Sequence, residues 1–207
     1  MARKTGSSGE KTAQAVRSAA VSLIAQHGYA AVSMRQIARE VGVQAGALYL
    51  YTPDKQTLLF ELLETHMQDL LAAWRRVAPA PSAPADVRLE AFVRFHIAYH
   101  IRRQEEVFIS YMELRNLEPE NFANIQVLRR AYEDELGAIL LAGQAEGMFA
   151  IPDARLSTMA MIAMLTGVST WFRDDGRLSP RAIEGEYVDL VFRMVGSEPP
   201  VAVAAAE

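Results

Sequence analysis

The chain has no cysteine among its 207 residues. Disulfides, thiol nucleophiles and cysteine-ligated zinc are therefore excluded. It also lacks a long uninterrupted apolar run. The longest apolar stretch, Leu156 to Phe172, carries Ser157, Thr158, Thr166, Ser169 and Thr170 and is flanked by Arg155 and Arg173. That composition suits a buried helix better than a membrane span, and no membrane association is expected. The opening residues, MARKTGSSGEKTAQ, contain no apolar core of signal-peptide length, so export is not expected and a cytoplasmic protein is. No Ser-His-Asp spacing, phosphate loop or cysteine nucleophile occurs, and paired acids such as Glu105-Glu106 fit a solvated surface. An enzyme is not expected.

What is present is unevenly distributed. The formal net charge is −4, which looks unfavourable for a partner of nucleic acid. Yet residues 1–55 hold seven basic side chains against three acidic ones, a net +4, and the remainder holds 14 against 22, a net −8. A basic head on an acidic body is the pattern of a DNA-binding segment joined to a segment with another task.

Periodicity and punctuation predict an all-α chain of nine helices with no strand and no internal repeat. Residues 1–9 read as a disordered arm. A first helix is expected from Glu10 to His27, stopped by Gly28. Ser33-Met34-Arg35-Gln36 is a capping box opening a second helix to Val41. Gly42 permits a sharp turn, and a short third helix covers Gln44 to Leu50. Thr52-Pro53-Asp54 restarts the chain, with Thr52 as cap and Pro53 in the first turn, into a helix reaching Val77. The connector Ala78-Pro79-Ala80-Pro81-Ser82-Ala83-Pro84 follows. Further helices are expected at Asp86–Ile101 (capped by Asp86), Glu105–Asn116, Pro119 to about Gly147, Leu156–Phe172 (opened by Asp153) and from Ser179-Pro180 to Val195. The organisation expected is a head at 10–55, a body at 56–196 and a disordered tail at 197–207.

Two short helices joined at Gly42 have helix-turn-helix spacing. In that arrangement the first braces against the DNA backbone and the second enters the major groove. The residues carry more than the spacing does. Across about residues 10–60, and most plainly in AAVSMRQIAREVGVQAGALYLYTPDKQTLL, the chain resembles the TetR family of repressors. Ile37-Ala38, Gly42-Val43, Gly46-Ala47-Leu48-Tyr49 and Lys55 match the family pattern. The resemblance implies phosphate contacts from Ser33, Arg35, Tyr49, Tyr51 and Lys55. It implies base-edge positions at Gln44, Ala45 and Ala47, with Leu50 beside them, and it counts Leu48 among the DNA-binding residues. Gln44 can pair with adenine and an alanine methyl can pack on a thymine methyl. Core packing is an equal reading for Tyr49, and a solvated helix position is a second reading for Arg35. Lys55 puts a cation in a first turn, against the helix dipole, and a phosphate there would offset the cost. The family usually has Phe where this chain has Thr52.

The same resemblance implies a body that binds a small-molecule effector and forms a homodimer, so that two heads meet a palindromic operator on double-stranded DNA. Repression is the family's usual outcome. Candidate effector residues are Trp74, Phe95, His96, Tyr99, Phe108, Tyr111, Met112, Arg115, Met161 and Met164, and core packing is the competing reading for each. His96 and His100 stand one helical turn apart, but a pocket wall or a satisfied core histidine suits them better than a metal site. No metal and no cofactor are expected. Arg115 suits either a surface ion pair or an anchor for a carboxylate or phosphate. Glu113–Leu117, Glu146–Phe149 and Trp171–Ser179 are similar to a TetR branch that controls steroid and fatty-acid catabolic genes, several of whose members answer to acyl-CoA thioesters. That implies a hydrophobic or acyl-CoA-like ligand. The last two helices are the expected dimer interface, with Ile183, Tyr187, Leu190, Val191 and Met194 as a stripe. A helical ligand-binding adaptor that never touches DNA is the alternative.

Overall fold

The computed structural model describes residues 6–200, with side chains from residue 9 onward. The parts of the expected arm and tail at 1–5 and 201–207 lie outside the described residues. All regular structure among the described residues is helical. None of these helices is long and apolar enough to cross a membrane. The chain divides into two compact units: residues up to Gln68 together with Glu105–Leu128, and Asp69–Gln104 together with Arg129 onward.

The first unit holds α1 (Gly6–His27), α2 (Met34–Val41), α3 (Ala45–Leu48), the start of α4 (Lys55–Val77), α6 (Gln104–Met112), a 3-10 turn (Leu114–Asn116) and the start of α7 (Pro119–Ala145). Helix α1 begins at Gly6, not Glu10, so residues 6–9 belong to it and not to a disordered arm. Its apolar stripe of Val16, Ala20 and Ile24 is buried, whereas His27 is exposed. Gly28 stops the helix with φ +80, its amide bonding the Ile24 carbonyl. Val16, Ala20 and Ile24 pack into one core with Ile37, Ala38, Leu48, Leu58, Leu59, Leu62 and Leu63. Ile109, Leu117 and Ile125 complete it, so a distant stretch of sequence closes the head's own core.

The second unit holds the rest of α4 and α7, with α5 (Ala85–Ile101), α8 (Ala154–Thr166), α9 (Val168–Trp171) and α10 (Pro180–Met194). Asp153 caps α8 through the Leu156 amide at 2.9 Å, and Ser179 caps α10 through the Ala182 amide at 3.2 Å, with Pro180 in the first turn. The start of α5 departs from expectation. Asp86 does not cap it: its carboxylate accepts only from the adjacent Val87 amide. The Ala85 amide instead donates to Glu146, 61 residues along, at 3.1 Å. The helix expected over Leu156–Phe172 is interrupted at Gly167. There Ser169 and Thr170 hydroxyls donate to the Thr166 and Gly167 carbonyls, each at 2.8 Å. Such back-bonding competes with the helical ladder and bends it.

Two features of this unit are tight. Gly143 faces the buried Phe149 so closely that a Cβ there would lie 1.9 Å from Phe149 Cδ2. Phe149 in turn meets Phe192 edge-on at 6.4 Å. Nearby in sequence to neither, His96 is fully enclosed: Nδ1 lies 3.1 Å from the Tyr132 hydroxyl and Nε2 3.2 Å from the Thr166 hydroxyl. Its ring stacks on His100 at 3.7 Å, and His100 Nδ1 donates to the His96 carbonyl at 2.8 Å. Burial, reinforced by His100, holds His96 well below the ordinary histidine value.

Two outcomes follow from this packing. Gly143→Ala displaces Phe149 and lowers stability by about 1–3 kcal/mol, read as a lower midpoint in denaturant or heat. The unfolded chain protonates His96 at its ordinary value while the fold resists, so stability falls as pH drops below about 6.5. Thermal unfolding between pH 7.5 and 5.5 shows this slope, and His96→Gln flattens it.

Candidate nucleic-acid interface and effector residues

The start of α2 is fixed as its sequence predicts. Ser33 is extended (φ −110, ψ 155), its hydroxyl accepts from the Gln36 amide at 3.3 Å, and its own amide donates to Gln36 Oε1 at 2.7 Å. Ile37 and Ala38 turn inward with almost no exposure, leaving Arg35 and Arg39 in solvent. Gly42 ends the helix in the left-handed region (φ +76), where the Gly42 and Val43 amides bond the Arg39 and Ala38 carbonyls at 3.2 and 2.9 Å. A Cβ at Gly42 would meet no atom within 4 Å, so its backbone angle, not crowding, calls for glycine.

Helix α3 is a single turn, shorter than expected, because the chain after Leu48 leaves the ladder. The Tyr51 and Thr52 amides both return to the Leu48 carbonyl, at 2.9 and 3.2 Å. Leu48 is fully buried in the head core, which removes it from any surface role; it anchors the turn instead. Gln44 and Ala45 are exposed, Ala47 and Tyr51 half-buried. Tyr49 is 55% exposed and Leu50 82% exposed.

The junction into α4 also differs from expectation. Thr52 is buried, and its hydroxyl donates to the Asp54 carbonyl at 3.1 Å. Asp54 is the cap: its carboxylate accepts from the Thr57 amide at 2.7 Å. Lys55 follows as the first residue of α4. Its ammonium donates to the Tyr29 carbonyl and sits 4.0 Å from the centre of the Tyr29 ring. The Tyr29 amide donates to the buried Glu113 carboxylate at 3.2 Å. The Tyr29 residue is thus gripped through both backbone polar groups, four residues before Ser33. Burial pulls the Lys55 ammonium below the ordinary lysine value, and Glu113 opposes that shift. Gln56 adds a second tie, donating to the Asn116 carbonyl and accepting from the Glu118 amide. Sequence reasoning missed Tyr29 and Glu113; a cation opening a helix was the one signal that a partner existed.

The ten expected effector residues are divided between the units. Phe108, Tyr111, Met112 and Arg115 belong to the first and are exposed. Trp74, Phe95, His96, Tyr99, Met161 and Met164 belong to the second. There Trp74 packs against Phe92 and Phe95 at 5.0 and 5.4 Å, and Phe95 against Tyr99 at 5.6 Å. Trp74 donates to Glu135 at 3.3 Å, and the Arg103 guanidinium lies 4.2 Å above the Tyr99 ring. Met161 is buried and Met164 half-buried. A separate cavity of about 600 Å³ opens between α7 and α8, lined by Arg130, Asp134, Leu141, Arg155, Thr158 and Met159 among others, and by none of the ten. Among the described residues no group of three or more histidine or acidic side chains could hold a metal ion.

Comparison with known proteins agrees along the chain. Residues 16–62 match the family described as bacterial regulatory proteins, tetR family, and residues 82–195 match the tetracyclin repressor-like C-terminal domain. The transcriptional repressor KstR2 of Rhodococcus jostii is 24% identical over 189 residues, covering 90% of this chain and 91% of that protein. The fatty acid metabolism regulator protein of Bacillus subtilis is 25% identical over 175 residues, covering 84% and 90%. Among solved structures, a tetR-family regulatory protein from Rhodococcus RHA1 superposes with a TM-score of 0.85 at 30% identity, covering 92% of this chain and 99% of that one. AibR in complex with isovaleryl coenzyme A and operator DNA superposes at 0.80 with 26% identity, covering 90% and 99%. With its capped α2, left-handed turn at Gly42 and one-turn α3 in place, the chain belongs to the TetR family of bacterial transcriptional regulators.

Proposed function

We propose that the protein is a repressor that binds a palindromic operator as a homodimer and is released by an acyl-CoA-type ligand. The observation that carries the DNA part is the exposed surface of the head. Arg35 and Arg39 are free in solvent on α2, and next to them α3 exposes Gln44 and Ala45, with Tyr49 just beyond. Cations bordering a neutral reading turn suit phosphates bordering a groove. Ser33 meets phosphate from the N-cap of α2 and Arg35 from its first turn, while Tyr49 and Tyr51 do so with their hydroxyls. Lys55 has a double task in this reading: it holds Tyr29 in place and adds positive charge beside the groove.

The homodimer reading rests on α8 and α10. Leu156 and Met159 on α8, and Leu190 and Met194 on α10, are large apolar side chains left between 42% and 61% exposed. The expected stripe on α10 is split: Ile183 and Val191 are buried in their own unit, so Leu190 and Met194 are the part left for a partner. The effector reading draws on the relatives: one is a fatty acid metabolism regulator, the KstR2 of Mycobacterium tuberculosis is described as a ketosteroid transcriptional regulator, and AibR has been solved with isovaleryl coenzyme A. The aromatic and methionine side chains of the second unit, with Arg103 on Tyr99, suit an apolar chain bearing an anionic group. A regulator of this family is not expected to carry out catalysis.

Binding to duplex DNA from the gene's own upstream region is expected to weaken steeply with salt. Arg35→Ala weakens it uniformly across sequences and lowers the log–log salt slope by about one, as loss of one phosphate contact requires. An unchanged slope contradicts the role given to α2, and no sequence-selective binding favours the adaptor reading. For the dimer, Leu190→Glu is expected to yield a monomer in sedimentation and to cut operator affinity. Isovaleryl-CoA or a longer acyl-CoA is expected to dissociate the complex; release by none of them contradicts the effector class.

A further inference from the structure

The head's reading surface has almost no means of recognising a G·C pair. From Val41 to Pro53, 13 consecutive residues carry no charge. Guanine is read best by the paired donors of Arg or Lys, and cytosine by the acceptors of Asp or Glu. Neither kind of side chain is present on α3 or on the turn after it. Arg35 and Arg39 stand on α2, and the Lys55 ammonium is committed to the Tyr29 carbonyl.

What the surface does offer is specific. Gln44 stands at the start of α3 (φ −68, ψ 143), is exposed, and makes no capping hydrogen bond with its side chain. Its amide keeps both a donor and an acceptor, the pair that matches adenine N7 and N6. The other exposed groups are apolar. Ala45 is exposed, Tyr49 is 55% exposed, and Leu50, at 82%, is the most exposed large hydrophobic side chain among the described residues. The local fold explains Leu50. Leu48 occupies the core, Tyr51 packs back against it, and the residue between them is turned outward. Gly46 adds no side chain, and nothing lies within 4 Å of where a Cβ would stand, so the approach to this face is open. In the major groove the one apolar group on a base edge is the thymine 5-methyl.

We propose that this head discriminates A·T pairs, with thymine methyl groups seated against Ala45 and Leu50 and an adenine edge on the Gln44 amide. The inference rests on the DNA-binding reading and names the sequence class that reading takes. Methyl contacts, not charged hydrogen bonds, carry the discrimination.

The test uses the full chain and a random duplex library, followed by resynthesis of the enriched duplex with deoxyuridine at each thymine in turn, which removes the methyl and leaves the pairing intact. At one or more positions in each half-site, uracil is expected to weaken binding by about fivefold or more. Leu50→Ala or Ala45→Gly narrows the thymine–uracil difference there, and Gln44→Ala relaxes the choice at an adenine while other positions keep theirs. These positions are on the surface, and circular dichroism confirms that the variants fold. Uracil tolerated at every position overturns the inference while leaving DNA binding intact, as does a thymine–uracil difference unchanged in both Leu50→Ala and Ala45→Gly. Failure to enrich any duplex overturns the DNA-binding reading itself, and this inference with it.

Discussion

Two helices of eight and four residues cannot stand alone. Isolated helices below about 12–15 residues are marginal in water even with favourable sequences. Everything the head can do depends on the burial of Ile37, Ala38 and Leu48, which have essentially no exposure and pin α2 and α3 to one core. Around that burial the polar groups act as guides. The capping box sets where α2 begins, and the left-handed Gly42 sets how sharply the chain turns. Lys55 and Glu113 hold the Tyr29 backbone from its two sides and so fix the loop that delivers the chain to Ser33.

This division of labour explains the surface. Once Leu48 is committed to the core, its neighbours Tyr49 and Leu50 face water, and a four-residue helix leaves room for few outward side chains. The ones it has are neutral, and the nearest free cations stand on α2. In the proposed reading, attraction to DNA and discrimination among sequences thus fall to different helices. The net +4 of residues 1–55, against the net −8 of the remainder, favours an encounter led by the head. The segment 105–128 is remote in sequence yet supplies Ile109, Leu117 and Ile125 to the same core and Glu113 to the Tyr29 clamp. The head's geometry is thus set in part by residues that follow the proline-rich connector.

Local features were legible in the sequence and non-local ones were not. The capping box at Ser33 and Gln36, the stop at Gly28, the turn at Gly42 and the caps at Asp153 and Ser179 depend on neighbours a few residues apart, and all appear as read. Where two local caps competed, position decided: Asp54 took the role expected of Thr52 because the helix starts two residues later, at Lys55, leaving Thr52 buried. At α5 the cap came from Glu146, and no local pattern could announce a partner 61 residues away. Leu48 shows a different limit. A four-residue helix has too little periodicity to separate its inward side from its outward one, so a core residue stood among the candidate contacts. The effector residues were the least legible, because aromatic and methionine side chains read alike in a core and in a pocket wall.

The most direct test of the head as a DNA-reading surface is amide hydrogen exchange of the full chain with and without a duplex that it selects. Slowed exchange is expected within residues 33–55, covering α2, the turn, α3 and the start of α4, at salt concentrations where the complex is intact. Slowed exchange that bypasses this stretch, or none at all in a complex otherwise shown to form, would contradict the assignment of DNA binding to α2 and α3.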